Sequence, residues 1–548
     1  MNKDYPLYKV KAIKNLKELF DYTGKKYANE KAAIYRDGKK NIEKTFAEVN
    51  EDIKALAAYF IKKKYSRKHI AVMGENSYHY LITFLATTNS NNVIVPLDKE
   101  LTYDELKYLF KKGSCDVLVI SEAYKKLVLK FKKDFPNIKE IIYIGEGKNS
   151  ITTKIKEGSE FLAKNSKIYE NTKLNNDATC GILFTSGTTG EPKGVMLSHA
   201  NIASDVVNTA KAVTPNGKGL LILPFHHSFA IIYTNIVLLH GDAMVFCNGL
   251  KDFARDMNEF KPQNVALVPL IIEGIYSKVM TAAKQKKKDK MLKLLMFLSS
   301  ILYNFKIDVR RKLFKSILDN FGGELDLVIS GAAPLDPKLI KKFRSLGIEI
   351  RQGYGITECS PVLAVCRNNH YNDLSVGKIL PNTKIKIDNP DKDGYGEILA
   401  KGEIVMKGYY QDDAATKEVM KNGWFATGDI GKIDDQGFIF LKGRKKNLII
   451  LSNGENVSPE ELEILLGRSK LVAEVIVKAE LNKKKQLITA HIFPNEEYIR
   501  ENKIKNVKEE IDKEIEKINN TIASFKNINK VVIVDKEFPK TTTKKIKR

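Results

Sequence analysis

The sequence predicts an α/β protein of two domains, and three observations carry that reading. The chain has 548 residues, more than one hydrophobic core usually organises. Through its first part short apolar runs alternate with amphipathic stretches, the pattern of βαβ units around a buried parallel sheet. After about Leu441 the character changes to short strands and one charged helix. The expected division is a large N-terminal domain of βαβ-type sheets with packed helices, residues 1–443, and a small α+β C-terminal domain, residues 444–548. About a hundred residues is an ordinary domain size.

The elements follow in order. Residues 70–73 read as a strand, 77–86 as a helix, 92–95 as a strand, 103–110 as a helix and 117–120 as a strand. Apolar strands are expected again at 266–269 and 325–329. Gly443-Arg444-Lys445-Lys446-Asn447 reads as a charged hinge. Beyond it come strands at 475–477 and 487–493, a helix at 507–522 and a last strand at 531–534. No repeat of fixed period is visible.

Composition narrows the class. Hydrophobic residues make up 43% of the chain and aromatics 9%, globular values that exclude general disorder. The five cysteines, Cys115, Cys180, Cys247, Cys359 and Cys366, show no CxxC spacing. They fit a reducing cytoplasm better than a disulfide framework or a zinc site. The start has no apolar core behind it, so no signal peptide is expected, and no run of eighteen apolar residues occurs. A cytoplasmic protein is the expectation, with peripheral contact to the inner face of a membrane as an option.

Net charge is +25, which suits nucleic acid, an anionic membrane or a merely lysine-rich surface. No zinc-finger spacing, RNP pattern or basic region with heptads is present, so nucleic acid is not an expected partner. Residues 284–312 stand apart: a lysine cluster, then Met291-Leu292-Lys293-Leu294-Leu295-Met296-Phe297-Leu298, then Arg310-Arg311-Lys312. Such a helix could lie in the headgroup layer of a membrane or dock on the core with solvated lysines at its ends. Both readings stay open here.

The most informative segment is Thr185-Ser186-Gly187-Thr188-Thr189-Gly190-Glu191-Pro192-Lys193-Gly194, between the apolar runs Gly181–Phe184 and Val195 onward. Glycines let the backbone turn its N–H groups towards an anion, hydroxyls add donors and a lysine adds charge. The segment reads as a phosphate-gripping loop, and its spacing is not that of a Walker A motif. Gln352-Gly353-Tyr354-Gly355-Ile356-Thr357-Glu358 approaches GxGxxG, but Glu358 replaces the last glycine, so a dinucleotide fingerprint fails.

The loop and four later segments, in order, resemble the adenylate-forming superfamily of AMP-binding enzymes, with bacterial long-chain fatty acid–CoA ligases the nearest pattern. The resemblance is strong from Cys180 to Arg548 and weaker before it. It implies the adenylate-forming fold, with a small C-terminal domain that is mobile about a hinge at Lys446. It also implies ATP, Mg²⁺ and CoA as cofactors and co-substrates. Thr185, Ser186, Gly187, Thr188, Thr189, Gly190 and Lys193 would then hold ATP phosphates. Gly331, Ala332, Ala333 and Pro334 would line the adenine pocket, together with Gln352, Gly353, Tyr354 and Gly355, and Tyr354 would stack on the base. Thr357 is assigned to the α-phosphate, and Glu358 with Thr185 to Mg²⁺. Asp429, in Gly423-Trp424-Phe425-Ala426-Thr427-Gly428-Asp429, is assigned to the ribose hydroxyls, and Arg444 to the same ribose.

Lys545 aligns with the superfamily's catalytic lysine, although Lys544 stands where a glycine is usual. Leu223-Pro224-Phe225-His226-His227-Ser228-Phe229 matches the segment lining the acyl pocket, and its Pro-x-x-His spacing selects His227. For that pair, packing is an equally open reading. The activity implied is ATP-dependent activation of a long-chain fatty acid through an acyl adenylate, followed by thioester formation with CoA. The alternatives are acyl carrier protein as acceptor, a different carboxylic acid, or a non-catalytic sensor. Glu358 and Lys545, both present, speak against the last.

Overall fold

The computed structural model describes residues 7–185, 191–247, 249–451, 456–482, 485–540 and 546. Contacts divide the chain into two compact units, residues 1–384 with 400–425 and residues 385–399 with 426–548. The mixed α/β architecture expected from the sequence is present.

Two sheets form the first unit. In the seven-stranded sheet, Thr179–Thr185, Val93–Leu97, His69–Met73, Val117–Ser121 and Glu140–Ile144 run parallel in that spatial order. Val93–Leu97 and Val117–Ser121 are buried along their whole length, as strands covered by helices on both faces must be. That is why they read as continuous apolar runs. The helices between them start where the sequence can cap them. Ser77 accepts from the Tyr80 N–H ahead of Tyr78–Asn89, and Thr102 forms a reciprocal capping box with Glu105 ahead of Tyr103–Lys112.

The nine-stranded sheet has six parallel strands at its centre and antiparallel strands at both edges. Leu327–Ser330 and Glu349–Gly355 lie side by side in it, followed by Val362–Val365. One expected strand is displaced: residues 266–269 give a strand at Asn264–Leu267, and Pro269 opens the helix Pro269–Gln285. Proline lacks the N–H that a first helical turn leaves unpaired, and its fixed φ suits that turn.

The lysine-rich insert is several helices, not one. Pro269–Gln285 ends before Lys286, Asp289–Asn304 follows, and Arg310–Leu313 closes the segment. Among the described residues, no helix is long and apolar enough to cross a membrane.

In the second unit, Val472–Asn482 and Lys485–Pro494 form a long hairpin, and Lys530–Ile533 pairs parallel with the latter. Pro459–Leu466 and Val507–Asn519 pack their apolar faces into a core with Val477, Ile488 and Ile492. The expected hinge residues are ordered locally. Arg444 ends the strand Ile439–Arg444, and Lys445–Asn447 forms a single 3₁₀ turn. Lys445 Nζ meets Glu397 at 2.7 Å, and Asn447 Nδ2 donates to Glu460 Oε1 at 2.7 Å.

Candidate active site

Two paired strands flank the phosphate-loop segment. Thr179–Thr185 and Lys193–Ser198 pair antiparallel, and the last pair is Thr185 with Lys193. Ser186, Gly187, Thr188, Thr189 and Gly190 lie outside the described residues. The hairpin fixes where the loop leaves and re-enters the sheet, with Thr185 Oγ1 3.5 Å from the Lys193 carbonyl oxygen.

A short strand, Gly408–Tyr409, lies along Lys193–Ser198 at the sheet edge, with Tyr409 opposite Val195. The Tyr410 N–H donates to the Gly194 carbonyl at 2.7 Å and the Lys407 N–H to Met196 at 2.9 Å. From that strand the Tyr409 hydroxyl donates to Glu358 Oε1 at 2.9 Å. Lys193 Nζ sits over the Tyr409 ring, 4.9 Å from its centroid. Burial and the neighbouring Glu358 carboxylate hold the phenol well above its ordinary range, so it remains a donor. The Met406 N–H also donates to the Glu358 carbonyl at 2.8 Å. Tyr409 therefore ties the carboxylate to the loop hairpin. The motif reading missed it, because 51 residues separate the pair and no local pattern announces an edge strand two residues long.

Glu358 follows the nine-stranded sheet. Gln352, Gly353, Tyr354 and Gly355 end the strand Glu349–Gly355, and Thr357–Cys359 is a 3₁₀ turn. The chain doubles back so tightly here that a Cβ on Gly355 would lie 2.0 Å from the Pro361 carbonyl oxygen. Only glycine fits. Gln352 is buried and donates through Nε2 to the carbonyls of Asp373 and Ser375. Tyr354 is 7% exposed.

Beside this strand end, Ser330 closes Leu327–Ser330 with its hydroxyl buried and without a hydrogen-bond partner. Gly331 is buried, and a Cβ on it would meet the Phe229 ring at 3.2 Å. Ala332, Ala333 and Pro334 are exposed, so small residues present open backbone next to Gln352–Gly355.

Thr357 meets a helix terminus. Its Oγ1 is 3.3 Å from the Ser228 hydroxyl, the first residue of Ser228–His240, and His227 is the N-cap. The positive end of a thirteen-residue helix favours an anion nearby. The two histidines differ. The His226 Nε2 atom is buried, 3.5 Å from Asp98 Oδ2 without a hydrogen bond, and desolvation pushes the imidazole down to about 4, helped by the Lys99 charge. It is a neutral packing histidine. His227, like His226, is partly buried as a residue. Ala230, Ile231, Ile232 and Tyr233, next along the helix, are all in the packed interior, and the Tyr233 hydroxyl donates to Asn264 Oδ1 at 2.6 Å.

The remaining site residues belong to the second unit. Asp429 in Trp424–Ile433 stands opposite Arg444 in the antiparallel ladder, and Arg444 Nε lies 2.8 Å from Asp429 Oδ1. A second guanidinium nitrogen donates to the Thr427 carbonyl at 3.2 Å. Two residues assigned to one ribose are thus adjacent in space. Lys446 is exposed, and slight desolvation with the Arg444 charge lowers its pKa.

Lys545 lies outside the described residues, but its flanks are described: Lys540 and Ile546 form an antiparallel bridge. Lys540 Nζ pairs with Glu474 and with Glu537, and the Phe538 N–H donates to Glu474 Oε2 at 2.8 Å. Phe538 and Lys540 are thus tied to Glu474.

The donor set fits Mg²⁺. A carboxylate with hydroxyls close by offers hard oxygen ligands. Among the described residues no group of three or more His, Cys, Asp or Glu could hold a metal.

Residues 20–410 match the family described as AMP-binding enzyme, and residues 446–548 match the AMP-binding enzyme C-terminal domain. Long-chain-fatty-acid–CoA ligase 6 of Mus musculus is 28% identical over 447 residues, 76% of this chain and 64% of its own length. The chain therefore spans less than two thirds of that relative. Long-chain-fatty-acid–CoA ligase FadD15 of Mycobacterium bovis is 27% identical over 460 residues, 79% of this chain and 74% of the relative.

Among solved structures, the anthranilate CoA ligase AuaEII bound to anthranoyl-AMP superposes with a TM-score of 0.78 at 19% identity, covering 99% of this chain and 96% of that one. ATP-bound MatB from Rhodopseudomonas palustris gives 0.77 at 22%, covering 97% of both chains. At such identities these structures speak for the fold alone. The match over residues 20–410 takes in well over half of the sequence, and on that ground the protein belongs to the AMP-binding enzyme family.

Proposed function

We propose that the protein is an AMP-forming acid–thiol ligase that activates a long-chain fatty acid and passes the acyl group to CoA. The observation that carries the proposal is the Lys193–Tyr409–Glu358 chain of contacts. It holds the Glu358 carboxylate near Lys193, at the end of the segment we assign to ATP phosphates. The names of the relatives support the choice of acid.

In the first step a carboxylate oxygen of the acid attacks the α-phosphorus of ATP. The bond between the α-phosphorus and the bridging oxygen to the β-phosphorus breaks, and pyrophosphate leaves. Both reactants are anions, so the protein's work is positioning and charge neutralisation. Lys193, the hydroxyls of the 185–190 loop and Lys545 supply positive charge and donors. Thr357 and the N-terminus of Ser228–His240 face the same charge, and Asp429 with Arg444 accepts the ribose. Mg²⁺, held by Glu358 with Thr185, would neutralise phosphate charge. In the second step the CoA thiol gives up its proton, its sulfur bonds to the acyl carbon, and the carbon–oxygen bond to AMP breaks. A hinge at Lys446 would let the small domain turn between the two steps. His227 is the residue we place nearest the acid's carboxylate.

The test is AMP release by purified protein with Mg·ATP and palmitate, octanoate or acetate, each with and without CoA. AMP release that requires palmitate and CoA together is the expected result. Turnover that accepts acyl carrier protein and ignores CoA would move the acceptor. Turnover with acetate and none with palmitate would overturn the fatty-acid assignment.

A further inference from the structure

Helix Asp289–Asn304 carries two apolar faces. At about 100° per residue, Leu292, Met296 and Ser299 fall on one side, and all three are buried. That side packs with Phe314 and Leu346, and the Ser299 hydroxyl donates to the Ser345 carbonyl at 2.9 Å. The helix is therefore seated, and its core side is satisfied. Leu294, Leu298, Ile301 and Phe305 fall nearly opposite, flanked by Phe297 and Leu302. All six are exposed, Phe297 by 63% and Phe305 by 74%. Exposed side chains this large are normal singly, but a contiguous patch beyond a few hundred Å² marks an interaction site.

Charge says what covers it. Lys286, Lys287, Lys288, Lys290 and Lys293 at one end and Lys306 at the other are all exposed. Each carries an ammonium on a flexible stem, long enough to reach phosphates while the apolar face is covered. We propose that this outward face docks on an anionic lipid surface, with Leu294, Phe297, Leu298 and Phe305 in the headgroup layer and the lysines on lipid phosphates. A second copy of the chain is a poorer occupant. A two-fold contact would set the same lysine cluster against itself or leave it idle, and like charges facing each other oppose association. The proposal does not depend on which acid the enzyme activates.

The experiment is co-sedimentation of the full chain with phosphatidylcholine vesicles, with and without phosphatidylglycerol, at low and high salt. The wild type is expected to pellet with the anionic vesicles and to be released by salt. Phe297→Ser/Leu298→Ser/Phe305→Ser and Lys286→Glu/Lys290→Glu/Lys293→Glu are each expected to lose at least tenfold in partitioning, with circular dichroism unchanged. If the apolar triple variant fails to fold, the charge variant decides alone. Wild-type protein that ignores both vesicles, or folded variants that bind as well as wild type, overturns the proposal. So does a dimer in light scattering that the apolar variant dissolves while vesicles remain unbound.

Discussion

Tyr409 is the side chain whose removal says most about the site. Its hydroxyl is the donor that orients Glu358, and outer-shell groups of this kind typically contribute 10–100-fold to metal affinity or activity. Tyr409→Phe should lower kcat/KM for acid-dependent AMP formation by about tenfold, with a larger Mg²⁺ requirement. Stability should fall by only about 1 kcal/mol, read from urea unfolding. A second residue, His199, governs acid stability. It is buried with neither ring nitrogen hydrogen-bonded, and burial pushes it down to about 4, with the Arg67 charge adding to this. The unfolded chain takes up its proton below about 6.5 and the folded chain only near 4, so stability is full above 6.5 and is lost as pH falls through that window. His199→Leu should lose about 2 kcal/mol less than wild type between pH 7 and pH 5. An equal loss in both proteins would refute the assignment. Neither residue was visible in the sequence: a lone tyrosine or histidine carries no signal until the fold supplies its neighbour.

At the scale of elements, the sequence was read well where burial is two-sided and poorly where elements are short. The strands at His69–Met73, Val93–Leu97 and Val117–Ser121 stand where the apolar runs placed them, since a parallel strand covered on both faces has no polar positions to blur it. Gly219–Leu221 and Met244–Phe246 span three residues each, too few for any periodicity to register. The motifs singled out residues 185–194, Gln352–Glu358 and Asp429 as candidate positions, whereas the edge strand Gly408–Tyr409, which pairs with Lys193–Ser198 and donates to Glu358, carries no motif. The anchor at the end of the chain carries a prediction of its own. Glu474 accepts the Phe538 N–H and pairs with Lys540, five residues before Lys545. Glu474→Ala should slow adenylation severalfold at unchanged KM for ATP. Glu474→Gln, which keeps an acceptor for the N–H but no charge, should fall between. If both variants lower only stability, the anchor has no part in placing the lysine.

At the scale of the whole molecule, one chain with two compact units would carry out both proposed half-reactions. Lys545 is assigned to the first half-reaction only, so Lys545→Ala should abolish adenylation yet still convert supplied palmitoyl-AMP and CoA to palmitoyl-CoA. The most direct measurement of the central claim is exchange of labelled pyrophosphate into ATP, with palmitate present and CoA absent. Palmitate-dependent exchange that disappears in Lys545→Ala is the predicted result. ATP cleavage to ADP, or exchange that persists without any acid, would contradict an acyl-adenylate mechanism.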